Sequence, residues 1–178
     1  MGGQLVSDIF HTDPSPRLLS ALGALTLNWA AIEAALDFSV AIIFHDHPFN
    51  RMDAEVPRAL GRKIKFLKDG LYSEKLAPIR TPGRALLADL KSHKDDRNKI
   101  VHGALLDAAD GDTIKSLRVQ YGKSGHSTSV HTVTADEVEG YALAALKLSD
   151  RTTAFSVRLF NITRPDQPIS YPLGEFAE

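Results

Sequence analysis

The feature that most constrains the fold is an apolar stretch from Leu18 to Phe44, which contains only two charged residues. Its hydrophobic residues recur at intervals of three and four, which places them on one side of a helix of about 28 residues. A stretch of this length could also span a bilayer. However, Asn28, Glu33 and Asp37 interrupt it, and carboxylates are costly inside a membrane. The pattern therefore predicts a long amphipathic helix and no membrane contact. The predicted inward stripe is Leu18, Leu22, Leu25, Trp29, Ile32, Leu36, Val40 and Ile43.

The same helical period continues along most of the chain. A second helix is expected over about Ala54–Asp69, and a short one over Ser73–Ile79. Thr81 and Pro82 read as an N-cap and first helical residue, which predicts a third long helix over Thr81–His102. A capping box at Thr134–Glu137 opens the last long helix. These segments predict a bundle of four to five helices.

A change of period separates the third long helix from the last one. Thr113–Tyr121 and His126–Val133 are rich in β-branched and aromatic residues, and Gly122–Gly125 between them is typical of a hairpin turn. Gly103–Asp107 is a candidate third strand. The predicted fold class is therefore mainly α, a helical bundle with a small β-hairpin or three-stranded insertion before the last helix.

The chain has 178 residues, which suits one domain with a substantial core. We expect an N-terminal extension over 1–16, a helical domain over 17–161 with the insertion at about 103–133, and an extended tail over 162–178. The absence of cysteine excludes a disulfide scaffold, a thiolate zinc site and a cysteine nucleophile. The first residues lack the pattern of a signal peptide, so the expected location is the cytoplasm.

Charge is unevenly distributed although the net charge is only −1. Residues 58–99 hold 12 Lys or Arg and 5 Asp or Glu, a net charge of +7, and the rest of the chain has a net charge of −8. One interpretation is a set of solvated helix faces. The other is an electropositive surface that could hold phosphates. The phosphate-binding candidates are Arg62, Lys63, Lys65 and Lys94.

Arg97 breaks the apolar pattern of the third long helix. It lies on the same predicted inward stripe as Leu90, His93 and Ile100. An unpaired buried guanidinium is costly, so an acidic partner is expected. Glu33 on the first helix is the best candidate, with Asp96, Asp95 and Asp37 in reserve. The alternative is that Arg97 serves only to tie two helices together.

Two further polar residues, Asn98 and His102, follow Arg97. They are four residues apart and therefore share a helix face. Arg97 and His102 are separated by about 140° around an ideal helix, so they would converge only at a frayed helix end or across a symmetric pair of chains. A helix C-terminus favours a protonated imidazole, which suits His102 to proton transfer. The alternative role for His102 is capping of the last helical carbonyls.

The run Arg97-Asn98-x-x-x-His102-Gly103, together with Trp29-Ala-Ala-Ile-Glu33 on the first helix, resembles the HEPN superfamily (higher eukaryotes and prokaryotes nucleotide-binding). The resemblance implies a dimeric, metal-independent endoribonuclease without a cofactor. Arg97 would hold the phosphate, His102 would transfer a proton, and Asn98 would orient the ribose or phosphate. The family is all-helical, so the predicted strands are a departure from it.

Three hypotheses about function remain open. The first is an RNA-cleaving toxin or defence nuclease that uses Arg97, Asn98 and His102, with an antitoxin or another protein as its partner. The second is a non-catalytic dimerisation or interaction module, in which Arg97 pairs with Glu33 and stabilises a homodimer. The third is a nucleotide-binding regulator that uses the basic second helix. Glu33, Asp96 and His93 are the expected supporting residues of the motif, and we expect no metal site.

Overall fold

The protein is described by a computed structural model over residues 13–45, 55–101, 104–108, 110–122 and 125–170. These residues form four α-helices and a three-stranded antiparallel sheet. The prediction of a mainly helical fold with a small sheet before the last helix is confirmed. In chain order the elements are α1 (Pro16–His45), α2 (Leu60–Gly70), a 3-10 turn (Glu74–Leu76), α3 (Ala77–Val101), β1 (Ala104–Ala108), β2 (Thr113–Gly122), β3 (Gly125–Thr134) and α4 (Ala135–Thr163).

The chain divides into two compact units, each formed from separate parts of the sequence. The first unit comprises Met1–Asn28 and Lys94–Ala145, and the second comprises Trp29–His93 and Leu146–Glu178. The sheet belongs to the first unit and α2 to the second. α1, α3 and α4 each contribute residues to both units.

The predicted stripe of α1 is confirmed. Seven of its eight residues are buried, and Leu22 is half-buried. Burying a leucine or isoleucine side chain contributes about 1.5–3 kcal/mol relative to leaving it exposed, so this stripe provides much of the stabilisation of α1. The helix ends at His45, one residue beyond the apolar stretch.

The N-terminal end of α2 differs from the prediction. The helix begins at Leu60 rather than Ala54, and Ala59 before it has an extended backbone with φ −74° and ψ 139°. Pro57 explains the difference, because a proline disfavours helical geometry at the preceding residue, here Val56. Val56, which lies before the helix, is exposed. Ile64 and Leu67 are buried, and so is the phosphate-binding candidate Lys63.

The start of α3 differs from the prediction in the opposite direction, because this helix begins earlier. The helix begins at Ala77, directly after the 3-10 turn, and Pro82 lies inside it rather than at its first position. A proline there removes one helical hydrogen bond. Packing offsets this cost: Ile79 is buried, and a Cβ placed on Gly83 would lie 2.7 Å from Cε2 of Phe155. Close packing of α3 against Phe155 within the second unit thus compensates for the hydrogen bond lost at Pro82, and the helix continues past the proline.

The hairpin of the first unit agrees with the predicted strands. β2 and β3 pair in one continuous antiparallel register, from Thr113 opposite Thr134 to Gly122 opposite Gly125. β1 pairs with the other side of β2 and has an irregularity between Leu105 and Asp107. One face of the sheet is buried at Ile114, Ser116 and Val133. Gly111, just before β2, has a φ of 78°, which a residue with a side chain rarely adopts.

The capping box at the start of α4 is formed as predicted. The backbone N–H of Thr134 donates to Oε2 of Glu137 at 2.9 Å, and the Glu137 N–H donates to Oγ1 of Thr134 at 3.3 Å. α4 ends at Thr163, and the following chain returns to it, because Asn161 exchanges two hydrogen bonds with the backbone of Ile169. The remainder of the predicted tail lies outside the described residues.

One helix in the described part of the chain, α1, is long and apolar enough to cross a membrane. Its most apolar 18-residue window has a mean hydropathy of 1.5, and 33% of that window is buried. The core helix of a soluble protein meets the same criteria, so the finding is compatible with a soluble protein.

Candidate functional site

Arg97 and Asn98 lie together near the C-terminal end of α3, in the first unit. Nη1 of Arg97 donates a hydrogen bond to Oδ1 of Asn98 at 3.1 Å, and both residues are half-buried. Neighbouring residues on a helix normally point about 100° apart, so this contact requires the two side chains to bend toward each other. The bond orients the guanidinium plane of Arg97, which leaves the carboxamide nitrogen of Asn98 as a second donor group at the same place.

A second polar pair supports the same stretch of α3. Nζ of Lys99 lies 2.9 Å from Oδ1 of Asp96, and this hydrogen bond raises the pKa of Lys99 above its ordinary value. The Asp96 carboxylate thus stabilises the charged form of Lys99. The backbone carbonyl of Lys99 accepts a hydrogen bond from the hydroxyl of Ser116 on β2. This bond satisfies one of the last carbonyls of α3, which have no partner within the helix, and ties the end of α3 to the sheet.

Lys99 and Ser116 are the residues at this site that the sequence interpretation missed. The spacing of Asp96 and Lys99, three apart on a helix, is a signal that could have identified the ion pair. No comparable signal exists for Ser116, because its contact with α3 joins residues 17 positions apart in the sequence. The predicted supporting residue Asp96 thus has a defined role as the partner of Lys99.

The last residue of the predicted motif, His102, and the predicted cap Gly103 lie outside the described residues. α3 is described as far as Val101. The expected proton-transfer role of His102 and its spatial relation to Arg97 therefore stay predictions.

The supporting residues Glu33 and His93 belong to the second unit, whereas Arg97 belongs to the first. Both supporting residues are half-buried and engaged in interactions, as Arg97 is. The pairing of Glu33 with Arg97 stays a prediction. Lys94, the phosphate-binding candidate nearest to the motif, lies in the first unit and is half-buried.

The other three phosphate-binding candidates lie on α2 and have different surroundings. Lys63 is 4% exposed and its Nζ lies 2.6 Å from Oδ1 of Asp37 on α1. This lysine is thus part of the packing of the second unit rather than of its surface. Arg62 and Lys65 are exposed.

Arg62 also lines the larger of two described cavities, both of which lie in the second unit. This cavity has a volume of about 570 Å³, and Arg58 stands beside Arg62 on its wall. The smaller cavity, of about 190 Å³, is formed by α3 and α4 and has Arg151 and Arg158 at its edge. Arg151 is held there by an ion pair of 2.8 Å with Asp89. The remaining lining residues of the larger cavity are Phe44, Glu55, Val56 and Ala59.

Comparison of the chain with protein-family models, with curated proteins and with solved structures found no match. Within the described ranges, no group of three or more His, Asp, Glu or Cys side chains could hold a metal ion. The fold and the site therefore define the class of this protein only broadly. It is a mainly helical protein with an antiparallel sheet before its last helix and a hydrogen-bonded Arg97–Asn98 pair near the end of α3.

Proposed function

We propose that the protein is a metal-independent endoribonuclease of the HEPN type, located in the cytoplasm and acting as a homodimer in toxin or defence systems. The observation that carries the proposal is the hydrogen bond of 3.1 Å between Arg97 and Asn98. It holds a guanidinium beside a carboxamide, the two groups to which the resemblance assigns contacts with the phosphate and with the ribose or phosphate.

The chemistry suits these residue types. The ribose 2′-oxygen attacks the adjacent phosphorus, the bond from phosphorus to the 5′-oxygen breaks, and the products carry a 2′,3′-cyclic phosphate and a 5′-hydroxyl. His102 would exchange the protons that leave the 2′-hydroxyl and reach the departing 5′-oxygen. Arg97 would stabilise the charge that develops on the phosphoryl oxygens. Asn98 would hold the guanidinium in place and donate to the ribose or phosphate.

The electrostatics near the motif also favour an anionic substrate. Arg97 carries one positive charge, while the Lys99 ammonium two residues away is balanced by the Asp96 carboxylate that raises its pKa. Lys94 adds a further positive charge on the same helix and in the same unit. Positive charge close to a reacting phosphodiester attracts the substrate and stabilises its transition state.

The proposal is tested with one oligonucleotide sequence prepared as RNA and as DNA, incubated with the protein in EDTA. We expect cleavage of the RNA alone, because DNA lacks the attacking 2′-hydroxyl. Arg97→Ala should abolish most of the cleavage, and Arg97→Lys should recover little, because lysine cannot form the planar two-donor contact. Lys91→Ala, a change at an exposed position of the same helix, is the matched control and should keep the wild-type rate.

The outcomes separate the hypotheses. Cleavage of both nucleic acids, or full activity in a folded Arg97→Ala variant, would overturn the proposed mechanism. A wild-type protein that leaves structured and unstructured RNA intact would favour the non-catalytic interaction module.

A second candidate function, a nucleotide-binding regulator, is favoured by the cavity of about 570 Å³ in the second unit. Two arginines on its wall, Arg58 and Arg62, could contact phosphate oxygens, and Phe44 offers an aromatic surface to a base. Calorimetric titration with ATP and GTP tests this candidate. Binding that Arg62→Ala removes and Arg97→Ala preserves would support the regulator over the nuclease.

A further inference from the structure

α1 has a second apolar stripe, and this one is exposed. Its residues follow each other at alternating intervals of three and four, the spacing of the contact seam between two packed helices. All six are exposed, and two are large: Leu27 is 71% exposed and Phe38 is 40% exposed. We call this set the α1 seam. It consists of Ala24, Leu27, Ala31, Ala34, Phe38 and Ala41.

The α1 seam lies opposite the buried stripe of the same helix. At about 100° per residue, its centre is about 200° around the helix from the stripe that contains Leu25, Ile32 and Leu36. None of the exposed residues of α1 between Leu19 and Ala34 is charged. A surface helix normally carries polar residues on the face turned to water. The composition of this face therefore indicates that it is covered in the working protein.

The order of large and small residues in the α1 seam reads the same in both directions. About a point between Ala31 and Ala34, Leu27 is related to Phe38, and Ala24 to Ala41. An antiparallel copy of the helix, related by a two-fold axis at that point, would place alanine against alanine at the centre and Leu27 against Phe38 on each side. A two-fold interface requires a surface that is complementary to itself. The order of large and small side chains in the α1 seam meets this requirement.

We propose that the α1 seam binds the α1 seam of a second copy of this chain, antiparallel and about a two-fold axis between Ala31 and Ala34. The alanines permit the two helix backbones to approach closely, and Leu27 and Phe38 of opposite protomers form the larger contacts. Stacking on Phe160, with a centroid distance of 5.7 Å, restricts the ring of Phe38 and so lowers the entropic cost of forming this contact.

A second protein chain fits this face better than a lipid bilayer does. Four of the six seam residues are alanine, which offers little apolar area to lipid but suits close helix packing. Asp37, which is 58% exposed beside Phe38, would have to enter the membrane with the seam. In the helix pair it stays at the edge, where water and the Lys63 ammonium surround it.

The proposed pairing would provide the dimer of the proposed nuclease, but it depends only on α1. Assays of association test the pairing of the α1 seams, whereas assays of cleavage test the nuclease proposal. The two can therefore be judged separately on the same preparation of protein.

Cross-linking tests the pairing directly, because the chain has no cysteine of its own. Ala24→Cys and Ala41→Cys are made as separate variants of the full chain. In the antiparallel pair, each introduced thiol lies about 26 Å along the axis from its own copy but faces the other variant's thiol. We expect a disulfide or short bismaleimide cross-link in the mixture and none in either variant alone. A parallel pair would cross-link each variant with itself, which would overturn the proposal, as would the absence of every cross-link.

Sedimentation of a charged variant provides the independent measurement. Ala31→Glu places a carboxylate at the centre of the seam, next to its symmetry copy, and should convert the dimer to monomer at micromolar concentration. Thr26→Glu is the matched control at an exposed position on the flank of α1, and it should leave the dimer intact. A wild-type monomer, or wild-type protein that sediments with phosphatidylcholine vesicles and is released by Ala31→Glu, would overturn the pairing in favour of another occupant.

Discussion

The ammonium group of Lys63 lies 2.6 Å from Oδ1 of Asp37, and it joins α2 to α1 inside the second unit. The lysine side chain is almost fully buried, while the aspartate keeps contact with water. Asp37→Asn would leave a buried positive charge without its carboxylate. We expect a loss of about 1–2 kcal/mol in the free energy of unfolding, less than for a fully buried pair because water reaches one partner. Urea denaturation measures it.

Lys65→Met on the exposed side of α2 is the control for this prediction, with an expected change within about 0.5 kcal/mol. Lys63→Met should destabilise less than Asp37→Asn, because it removes the charge and keeps the buried aliphatic chain. Equal stability of Asp37→Asn and the wild type would show that the pair contributes nothing.

The predicted partnership of Glu33 and Arg97 is tested by Glu33→Gln. If Glu33 compensates the half-buried guanidinium, this substitution removes the charge and retains the shape, and it should cost about 1–3 kcal/mol. Thermal unfolding followed by circular dichroism measures the difference. An unchanged unfolding temperature would mean that Arg97 relies on other groups and that Glu33 has another role.

Gly83 and Gly61 make opposite predictions for the same substitution. At Gly83 in α3, a methyl group would lie 2.7 Å from Phe155 Cε2 and 3.0 Å from Leu71 Cδ1, so Gly83→Ala should destabilise by about 1–3 kcal/mol despite the better helix propensity of alanine. At Gly61 in α2, no atom lies within 4 Å of the added carbon, and Gly61→Ala should stabilise by about 0.4–1 kcal/mol. The denaturant concentrations at the unfolding midpoints of the two variants and the wild type measure these differences. A Gly83→Ala variant more stable than the wild type would contradict the close packing at Gly83.

The first unit contains a charge cluster with a predictable response to pH. Arg17 at the start of α1 donates hydrogen bonds of 2.7 Å to both carboxylate oxygens of Glu139, and these bonds lower the pKa of Glu139 from its ordinary value of 4.5. A lowered pKa contributes stability above pH 4.5, and this contribution is lost as the pH falls through the lowered value. In an NMR titration, Arg17→Gln should return the pKa of Glu139 toward 4.5, whereas an unchanged titration would exclude the contact.

Activity measurements on Arg97 and His102 test whether the two residues act on one transition state. His102→Ala should reduce the rate of RNA cleavage by about 10²–10⁴-fold, because it removes proton transfer. The double variant with Arg97→Ala should be little slower than the slower single variant, since groups that act as a unit are not additive. The single and double variants must sediment as the wild type does, so that a lower rate reflects lost chemistry and not lost folding or association. Multiplicative losses, or cleavage retained without His102, would separate the histidine from the chemistry.

The elements that depend on neighbouring residues were predictable. The capping box at Thr134, the hairpin over Thr113–Thr134 and the buried stripe of α1 each follow from local spacing, and each is present. The helix starts near Pro57 and Pro82 were predicted wrongly. Pro57 delays the start of α2 through a local steric effect on Val56, and at Pro82 packing between Phe155 and Gly83 outweighs the proline.

The candidate site divides in the same way. The choice of Arg97, Asn98 and His102 came from the sequence, because residue type and spacing indicate the chemistry that a helix could perform. The sequence alone also determined the apolar periodicity of α1 and the turns of the sheet, since both result from short-range geometry. Only the tertiary structure decided that Lys63 is a buried partner of Asp37 and that Ser116 holds the end of α3. Those contacts join residues far apart in the chain, and burial depends on which faces the folded helices cover.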